Sequence, residues 1–453
     1  MRFLRRLLAV FAVLALCGGL TLAIFLDRAT PKPPIVQADL TKQGPGKALR
    51  ADDVWFIWLS GPPEVRGADM AKLVGHVMRQ IDETMHATFR EVIPSAPLRF
   101  AIEIAGRLFG RHLTTDIPLE IQREIVGQMS HYDDPFGDGG GKFARFMAYL
   151  ALHDLAQTVE KSPLVACTGF GFDATMSASG GTIVGRNFDF EAGRVFDEQK
   201  SVTVFRPESG YAFMSVAWPG MNGVVTGINE KRVWVSVNAA RSDHEAPRGV
   251  PVSLAIRQVL EQADSAEAAV ERIKQMPVRV ADLYLVADAK HVYVVEKTPV
   301  AAVVRSVENG RIAVANHFLD PELRAERRNQ ELERKTSSLV RFERMTQLVT
   351  QAATKREPED ALVILRDRLA PDGAPYPMGD RRALDGYIAT HGVFADFGKD
   401  VVWVSRAPHL SGEWVGIALA PLFEGRFERA QAMPKDAVAL ELGMDIGWRS
   451  PGK

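Results

Sequence analysis

Only two cysteines occur in 453 residues, Cys17 and Cys167, so no framework of disulfides can brace this chain. An excess of one charge is missing too. Fifty-five Lys and Arg face 56 Asp and Glu, for a net charge of −1, and without a basic run there is no concentrated positive face for nucleic acid. The chain has no internal repeat and no low-complexity tract, and Gly (37) and Pro (26) are not unusually abundant. With 46% apolar residues it has the composition of one large or two ordinary globular domains, which excludes a disordered chain. None of the ten histidines falls in a zinc-ligand spacing such as His-Glu-x-x-His. The stretch His131-Tyr-Asp133-Asp134 with Asp138 lacks the Asp-x-Asp-x-Asp-Gly order of a calcium loop. No metal and no cofactor are expected.

Arg2, Arg5 and Arg6 precede an uncharged apolar run over residues 7–26, followed by Asp27-Arg28. Twenty such residues are long enough to cross a bilayer as a helix, and the basic flank places the N-terminus in the cytoplasm. A cleaved signal peptide competes, although the run is long for one and no small-x-small site follows it. A lipoprotein reading at Cys17 is disfavoured by the bulky Leu16. The expectation is an uncleaved anchor over 1–28, with the rest outside the cytoplasm, periplasmic if the source is Gram-negative. Residues 29–46, rich in proline, then form an extended tether.

Residues 47–166 read as mainly helical, after a short strand at 55–59. Segments with helical spacing lie at 68–91, 97–109, 118–131 and 142–160. From Cys167 onward the texture changes to short β-branched and aromatic runs broken by Gly, Asn and Pro, as strands require. Strands are expected near 180–191, 201–205, 211–218, 223–228 and 232–238. Helices follow at 251–262 and 265–275, the second N-capped by Asp264 with Glu267 three residues on. Strands return at 282–287, 292–296, 301–307 and 311–315, with Asn309-Gly310 as a hairpin turn. Helices near 335–352 and 358–369 and a hairpin of 401–405 with 414–418 complete a layered α+β order.

Cys167 is the sole thiol of the exported part. In an oxidising compartment a lone cysteine is a liability, unless it is a small buried hydrophobe. Its neighbours weigh against the bland reading. The strand that begins with Ala166-Cys167-Thr168-Gly169-Phe170 is followed by one that carries Gly185-Arg186-Asn187-Phe188-Asp189. A guanidinium beside a thiol lowers its pKa from about 8.5 and favours the nucleophilic thiolate. If the bond between Ala166 and Cys167 were cut, the new α-amine would be an internal base, with a pKa of about 7.7–8.0, and Asp189 could orient it. Alone, Arg186 and Asp189 would be no more than an ion pair at a strand end.

These residues resemble the N-terminal-nucleophile hydrolases, in particular the isopenicillin N acyltransferase-like branch, related to choloylglycine hydrolase and acid ceramidase. Further elements follow in that family's order. They are Asn222-Gly-Val-Val-Thr-Gly-Ile-Asn229-Glu-Lys231 leading to Ser236-Val-Asn238, then Val314-Ala-Asn316-His317, then Ser337-Ser-Leu-Val-Arg341-Phe-Glu-Arg344. Upstream, Ser60-Gly-Pro-Pro-Glu-Val-Arg66-Gly67 is similar to the turn that opens this branch. The resemblance implies a four-layer αββα sandwich of two antiparallel sheets over 167–453, with 47–166 as a helical prosegment. It implies Cys167 as nucleophile, Arg186 and Asp189 tuning it, Asn238 in the oxyanion hole, and Asn316 and Arg341 in support. It also implies internal cleavage between Ala166 and Cys167, since this cysteine follows a prosegment and not an initiator methionine, and the two fragments would stay associated. The expected reaction is cleavage of a linear carboxamide through a thioester, resolved by water or by an amine, on a small amphipathic N-acyl substrate. A phospholipase B-like ester hydrolase and a non-catalytic, membrane-tethered binding protein are the alternatives.

Overall fold

The computed structural model describes residue 27 and residues 30–136, 141–158, 165–190, 193–351 and 355–441. The apolar run of residues 7–26, Cys17 within it, and Asp138 lie outside the described residues. No helix among the described residues is long and apolar enough to cross a membrane.

Two sheets stack face to face. The larger runs, in spatial order, β1 (Lys47–Ala51), β2 (Val54–Ser60), β5 (Ser201–Arg206), β6 (Phe213–Ala217), β7 (Thr226–Asn229), β8 (Trp234–Ala239), β9 (Asp282–Ala287), β10 (Val292–Lys297) and β11 (Ala302–Ser306). The smaller runs β12 (Arg311–Val314), β3 (Val165–Phe172), β4 (Ile183–Phe190), β13 (Ala389–Asp396), β14 (Val401–Ser405), β15 (Trp414–Ala418) and β16 (Arg429–Met433). Alternate side chains along each strand point to opposite faces. One set, including Phe56, Val204, Trp234, Leu285, Val184, Val393 and Ile417, fills the space between the sheets.

The other faces are covered by helices. Against the larger sheet lie α1 (Pro63–Val92), α3 (Leu119–His131) and α4 (Lys142–Leu150), which α2 (Ala96–Gly110) adjoins, together with α5 (Leu152–Thr158), α6 (Val252–Gln262) and α7 (Ala266–Gln275). Against the smaller sheet lie α8 (Ser338–Thr350) and α9 (Pro358–Leu365), packed on Phe170, Phe172 and Trp403. The layering is helix, sheet, sheet, helix.

Several expectations need correction. The sheets are not wholly antiparallel, because β2 pairs in parallel with β5, Trp55 opposite Ser201. The part before Cys167 therefore contributes two strands as well as helices. Asn309 and Gly310 do adopt positive φ (50° and 76°), and Glu308 and Arg311 pair across them as a hairpin turn requires, but β11 and β12 do not go on to pair. β11 belongs to one sheet and β12 to the other, so the turn hands the chain across the sandwich. The cap of α7 is Ser265, whose hydroxyl accepts from Ala268 N, and not Asp264. The helix expected over 335–352 breaks at Thr336, which is extended, and α8 starts afresh at Ser338. The tether is not free over its last residues. The Asp69 carboxylate accepts from Gly44 N (2.9 Å) and Gly46 N (2.7 Å), and Lys72 donates to Leu40 O (2.7 Å).

The two parts of the chain that flank Cys167 are bolted together. A Cβ on Gly67 would lie 1.8 Å from Glu124 O, and one on Gly127 would lie 1.9 Å from Glu64 O, so only glycine lets α1 and α3 cross so closely. That crossing puts Glu124 in the interior, where Oε2 accepts from Arg66 Nη2 (2.8 Å) and Arg257 Nη2 (2.9 Å). Its Oε1 accepts from Arg257 Nη1 (2.8 Å) and Asn222 Nδ2 (2.7 Å). Burial opposes this charge, but Arg257 and Arg66 outweigh it and hold the carboxyl at about 2. A buried pair that loses one partner leaves an uncompensated charge, at a cost of about 3–5 kcal/mol. Glu124→Gln is accordingly expected to lower unfolding stability by about 3–5 kcal/mol, read from the urea midpoint. An unchanged midpoint would show that the two parts are joined by other means.

Candidate active site

β3 and β4 are antiparallel neighbours, and their register decides what meets what. Cys167 faces Phe188, Gly169 faces Arg186, and Ala166 faces Asp189. By alternation Cys167, Arg186 and Phe188 share the face toward the larger sheet, while Asn187 and Asp189 take the other. The sheets come close here. A Cβ on Gly171 would stand 2.5 Å from Val292 Cγ1, so the residues after Cys167 on this face must be small.

Arg186 spans the gap between the sheets. Its Nη1 donates to Thr226 Oγ1 (2.9 Å), and its Nη2 donates to Val237 O (2.7 Å) and Asn238 Oδ1 (3.3 Å). Its guanidinium lies 4.7 Å from the Phe188 ring centroid. Asn238 in turn donates from Nδ2 to Ala315 O (2.8 Å), which leaves the second N–H of that amide for another acceptor.

On the far side a second set converges on the backbone of Cys167. Cys167 N donates to Asn316 Oδ1 (3.0 Å). Arg341 donates from Nη2 to the same Asn316 oxygen (2.8 Å) and from Nη1 to Cys167 O (2.8 Å). Asn316 Nδ2 donates to Ala239 O (2.9 Å), and Ser338 Oγ accepts from Asn316 N (2.9 Å). Ser338 opens α8 and Arg341 follows one turn later, so the start of the helix grips Asn316 at two points.

The structure thus brings Cys167, Arg186, Asn238, Asn316 and Arg341 into one buried cluster. Asp189 sits across the ladder from Ala166, buried, with its Oδ1 accepting no hydrogen bond from the described residues. Burial pushes its carboxyl up to about 6, against the pull of Arg341 and Arg381. One electrostatic expectation is reversed. Burial pushes the Cys167 thiol up to about 11, because Arg186 and Arg341 offset only part of the desolvation and Asp189 adds to it. In the intact chain the sulfur is inaccessible and protonated at neutral pH.

Thr226, Ser338 and His391 also belong to this cluster and were not singled out from the sequence. Thr226 and Ser338 lie inside segments that the motifs cover. His391 lies on β13, which no motif covers, although the Asp385-Gly386 turn signal just ahead of it could have pointed to a strand. Among the described residues, Glu267, Asp288 and His291 are close enough together to share a metal ion. Asp288 already accepts from Lys290 N, His291 N and Ala266 N, so nothing there points to a bound ion.

Residues 176–378 match the model of the family described as acyl-coenzyme A:6-aminopenicillanic acid acyl-transferase. The match begins beyond Cys167 and covers the other five residues of the predicted site. An Archaeoglobus fulgidus protein described as uncharacterized is 30% identical over 128 residues, 28% of this chain and 21% of that protein. The chain therefore spans about a fifth of the length of that relative. Among solved structures, a Caenorhabditis elegans ortholog of N-acylethanolamine-hydrolyzing acid amidase is 17% identical, covering 51% of this chain and 93% of that one, with a TM-score of 0.37. A conjugated bile acid hydrolase from Clostridium perfringens is 14% identical over 58% of this chain and 96% of that one, with a TM-score of 0.37. Penicillin V acylase from Agrobacterium tumefaciens is 13% identical over 59% and 99%, with a TM-score of 0.36. Residues 176–378, the part that carries Arg186, Asp189, Asn238, Asn316 and Arg341, are thus similar to the acyl-coenzyme A:6-aminopenicillanic acid acyl-transferase family.

Proposed function

We propose that this chain is a cysteine amidohydrolase or acyltransferase, made active by cleavage between Ala166 and Cys167, that acts on a linear N-acyl amide. The observation that carries this reading is the grip on Cys167 N. Asn316 Oδ1 accepts from that nitrogen at 3.0 Å and is itself fixed by Arg341. A buried peptide N–H could be satisfied by the sheet ladder alone. A side-chain amide locked in place for it suits a nitrogen that has work to do.

In activation, Cys167 Sγ attacks the Ala166 carbonyl, the C–N bond breaks, and the nitrogen takes the thiol's proton. That shift frees the α-amine of Cys167, and water then hydrolyses the thioester, releasing the thiol and the Ala166 carboxylate. In turnover that amine, with one N–H held by Asn316, accepts the proton of Sγ while Sγ adds to the substrate carbonyl. The second N–H of Asn238 would donate to the oxyanion. The leaving amine departs with a proton, and water or a second amine resolves the thioester. The thiol buried at about 11 is the resting condition of the uncut chain. The same observation favours the alternative of a non-catalytic binding protein, and one measurement separates the two.

The wild-type chain is expected to yield two associated fragments, the second starting at Cys167. Cys167→Ala is expected to yield one full-length chain without amidase activity, by intact mass and N-terminal sequencing. Two fragments from the alanine variant, or an active wild type with the bond intact, would refute the reading. Lauroyl p-nitroanilide and p-nitrophenyl laurate, which share one acyl chain, test amide against ester cleavage.

Asp189 gives a pH expectation. Its carboxyl is raised, so it ionises as the pH climbs through about 6, and only the carboxylate can hold the protonated α-amine. Turnover should fall as the pH drops through that value. Asp189→Asn should lose most of its activity, by roughly 100-fold, and the remainder should lack the acidic limb of the pH–rate profile. An unaltered limb in Asp189→Asn would assign it to another group.

A further inference from the structure

His391 is completely buried, and no step above uses it. Its Nε2 lies 3.1 Å from Thr226 Oγ1, the same oxygen that accepts from Arg186 Nη1 at 2.9 Å. Its ring lies parallel to that of Phe188, with an interplanar angle of 3° and centroids 5.0 Å apart. Phe188 in turn carries the Arg186 guanidinium on its face. The imidazole therefore meets Arg186 by two routes, one through a hydroxyl and one through a ring. Its Nδ1 makes no hydrogen bond with the described residues although it is buried, which a ring placed only to fill space would avoid.

The imidazole is neutral. Burial, then the charges of Arg186 and Lys200, keep it well below the usual histidine range. Lys200 is itself paired with Asp197 at 3.0 Å. A hydroxyl carries one hydrogen and two lone pairs and rotates to suit its neighbours. With Arg186 N–H on one side and an uncharged ring nitrogen on the other, the Thr226 hydroxyl is fixed with a lone pair toward the guanidinium. Without that ring nitrogen the hydroxyl turns freely, and Arg186 depends on Val237 O and on Asn238 Oδ1, the latter at 3.3 Å.

We propose that Thr226 and His391 are positioning residues for the reaction of Cys167, holding the Arg186 guanidinium where it stabilises the thiolate. The proposal rests on the reading of Cys167 as nucleophile and deepens it. The partners come from three strands: Arg186 from β4, Thr226 from β7 across the sandwich, and His391 from β13 beside β4. The charged groups that bear on the sulfur are Arg186, Asp189 and Arg341. Neither Thr226 nor His391 adds a charge of its own. Their effect on the thiol runs through the position of Arg186 alone.

The test uses the cleaved two-fragment protein and the variants Thr226→Val, Thr226→Ser and His391→Phe. The rate of iodoacetamide alkylation of Cys167, identified by peptide mass, is measured against pH, with the urea midpoint as a check of folding. Thr226→Val and His391→Phe are expected to raise the alkylation midpoint by about one pH unit, a roughly tenfold slower reaction at neutral pH. They should slow autocleavage of newly made chain in parallel, and Thr226→Ser should restore both. Where valine at 226 prevents folding, His391→Phe, which keeps the stack on Phe188, decides the matter. A folded variant with the wild-type midpoint overturns the proposal. A wild-type protein whose Cys167 never becomes an N-terminus overturns instead the reading on which it rests.

Discussion

Arg186 and Arg341 are both buried, and among the described residues the oxygens that accept hydrogen bonds from them are all uncharged. Arg186 has Thr226 Oγ1 and the Val225, Val237 and Asn238 oxygens. Arg341 has Ser337 Oγ, Cys167 O and Asn316 Oδ1. Among the described residues, neither forms an ion pair. A guanidinium taken from water without a carboxylate against it is costly, and burial does pull both below their ordinary range. The compensating charge is one carboxylate, Asp189, acting on both from a distance. The interior around Cys167 is thus short of negative charge by about one unit. A thiolate or an oxyanion would supply that unit, which fits the reaction proposed at Cys167.

The sandwich holds this imbalance in place. The smaller sheet presents Cys167, Arg186 and Asp189 on adjacent strands. The larger sheet supplies the oxygens of Thr226, Val237, Asn238 and Ala239. The start of α8 adds Ser338 and Arg341. No one layer contains the site, and a slip of one residue between β3 and β4 would send Arg186 to the opposite face from Cys167. Two tightly packed cores on either side of the smaller sheet keep that register fixed.

Much of this cluster was legible beforehand because its residues sit in short stretches of distinctive local sequence. Cys167, Arg186, Asn238, Asn316 and Arg341 each fell in a short motif, and all five meet. What escaped reading depends on tertiary context. β13 and β16 follow turn signals, Asp385-Gly386 and Glu424-Gly425, but nothing local tells which strands they join. The parallel pairing of β2 with β5 joins segments about 145 residues apart, which no local pattern encodes. Asn309-Gly310 read correctly as a tight turn but not as a passage between sheets, since turn chemistry fixes φ and not the partner strand. The thiol was misjudged because the sequence reveals its cationic neighbours but not the depth of its burial.

The insertion of β2 between β1 and β5 has a consequence of another kind. β2 belongs to the piece that lies ahead of Cys167, and it is an inner strand of the larger sheet, hydrogen-bonded along one edge to its own hairpin partner and along the other to the later piece. Were the backbone cut before Cys167, as proposed, that ladder would become a seam between separate molecules. Assembly would then change from first order to second order, and the cut protein, once melted at dilution, would lack the tether that first brought its halves together. Longevity of such a protein is set by how slowly it opens rather than by any balance with its unfolded parts.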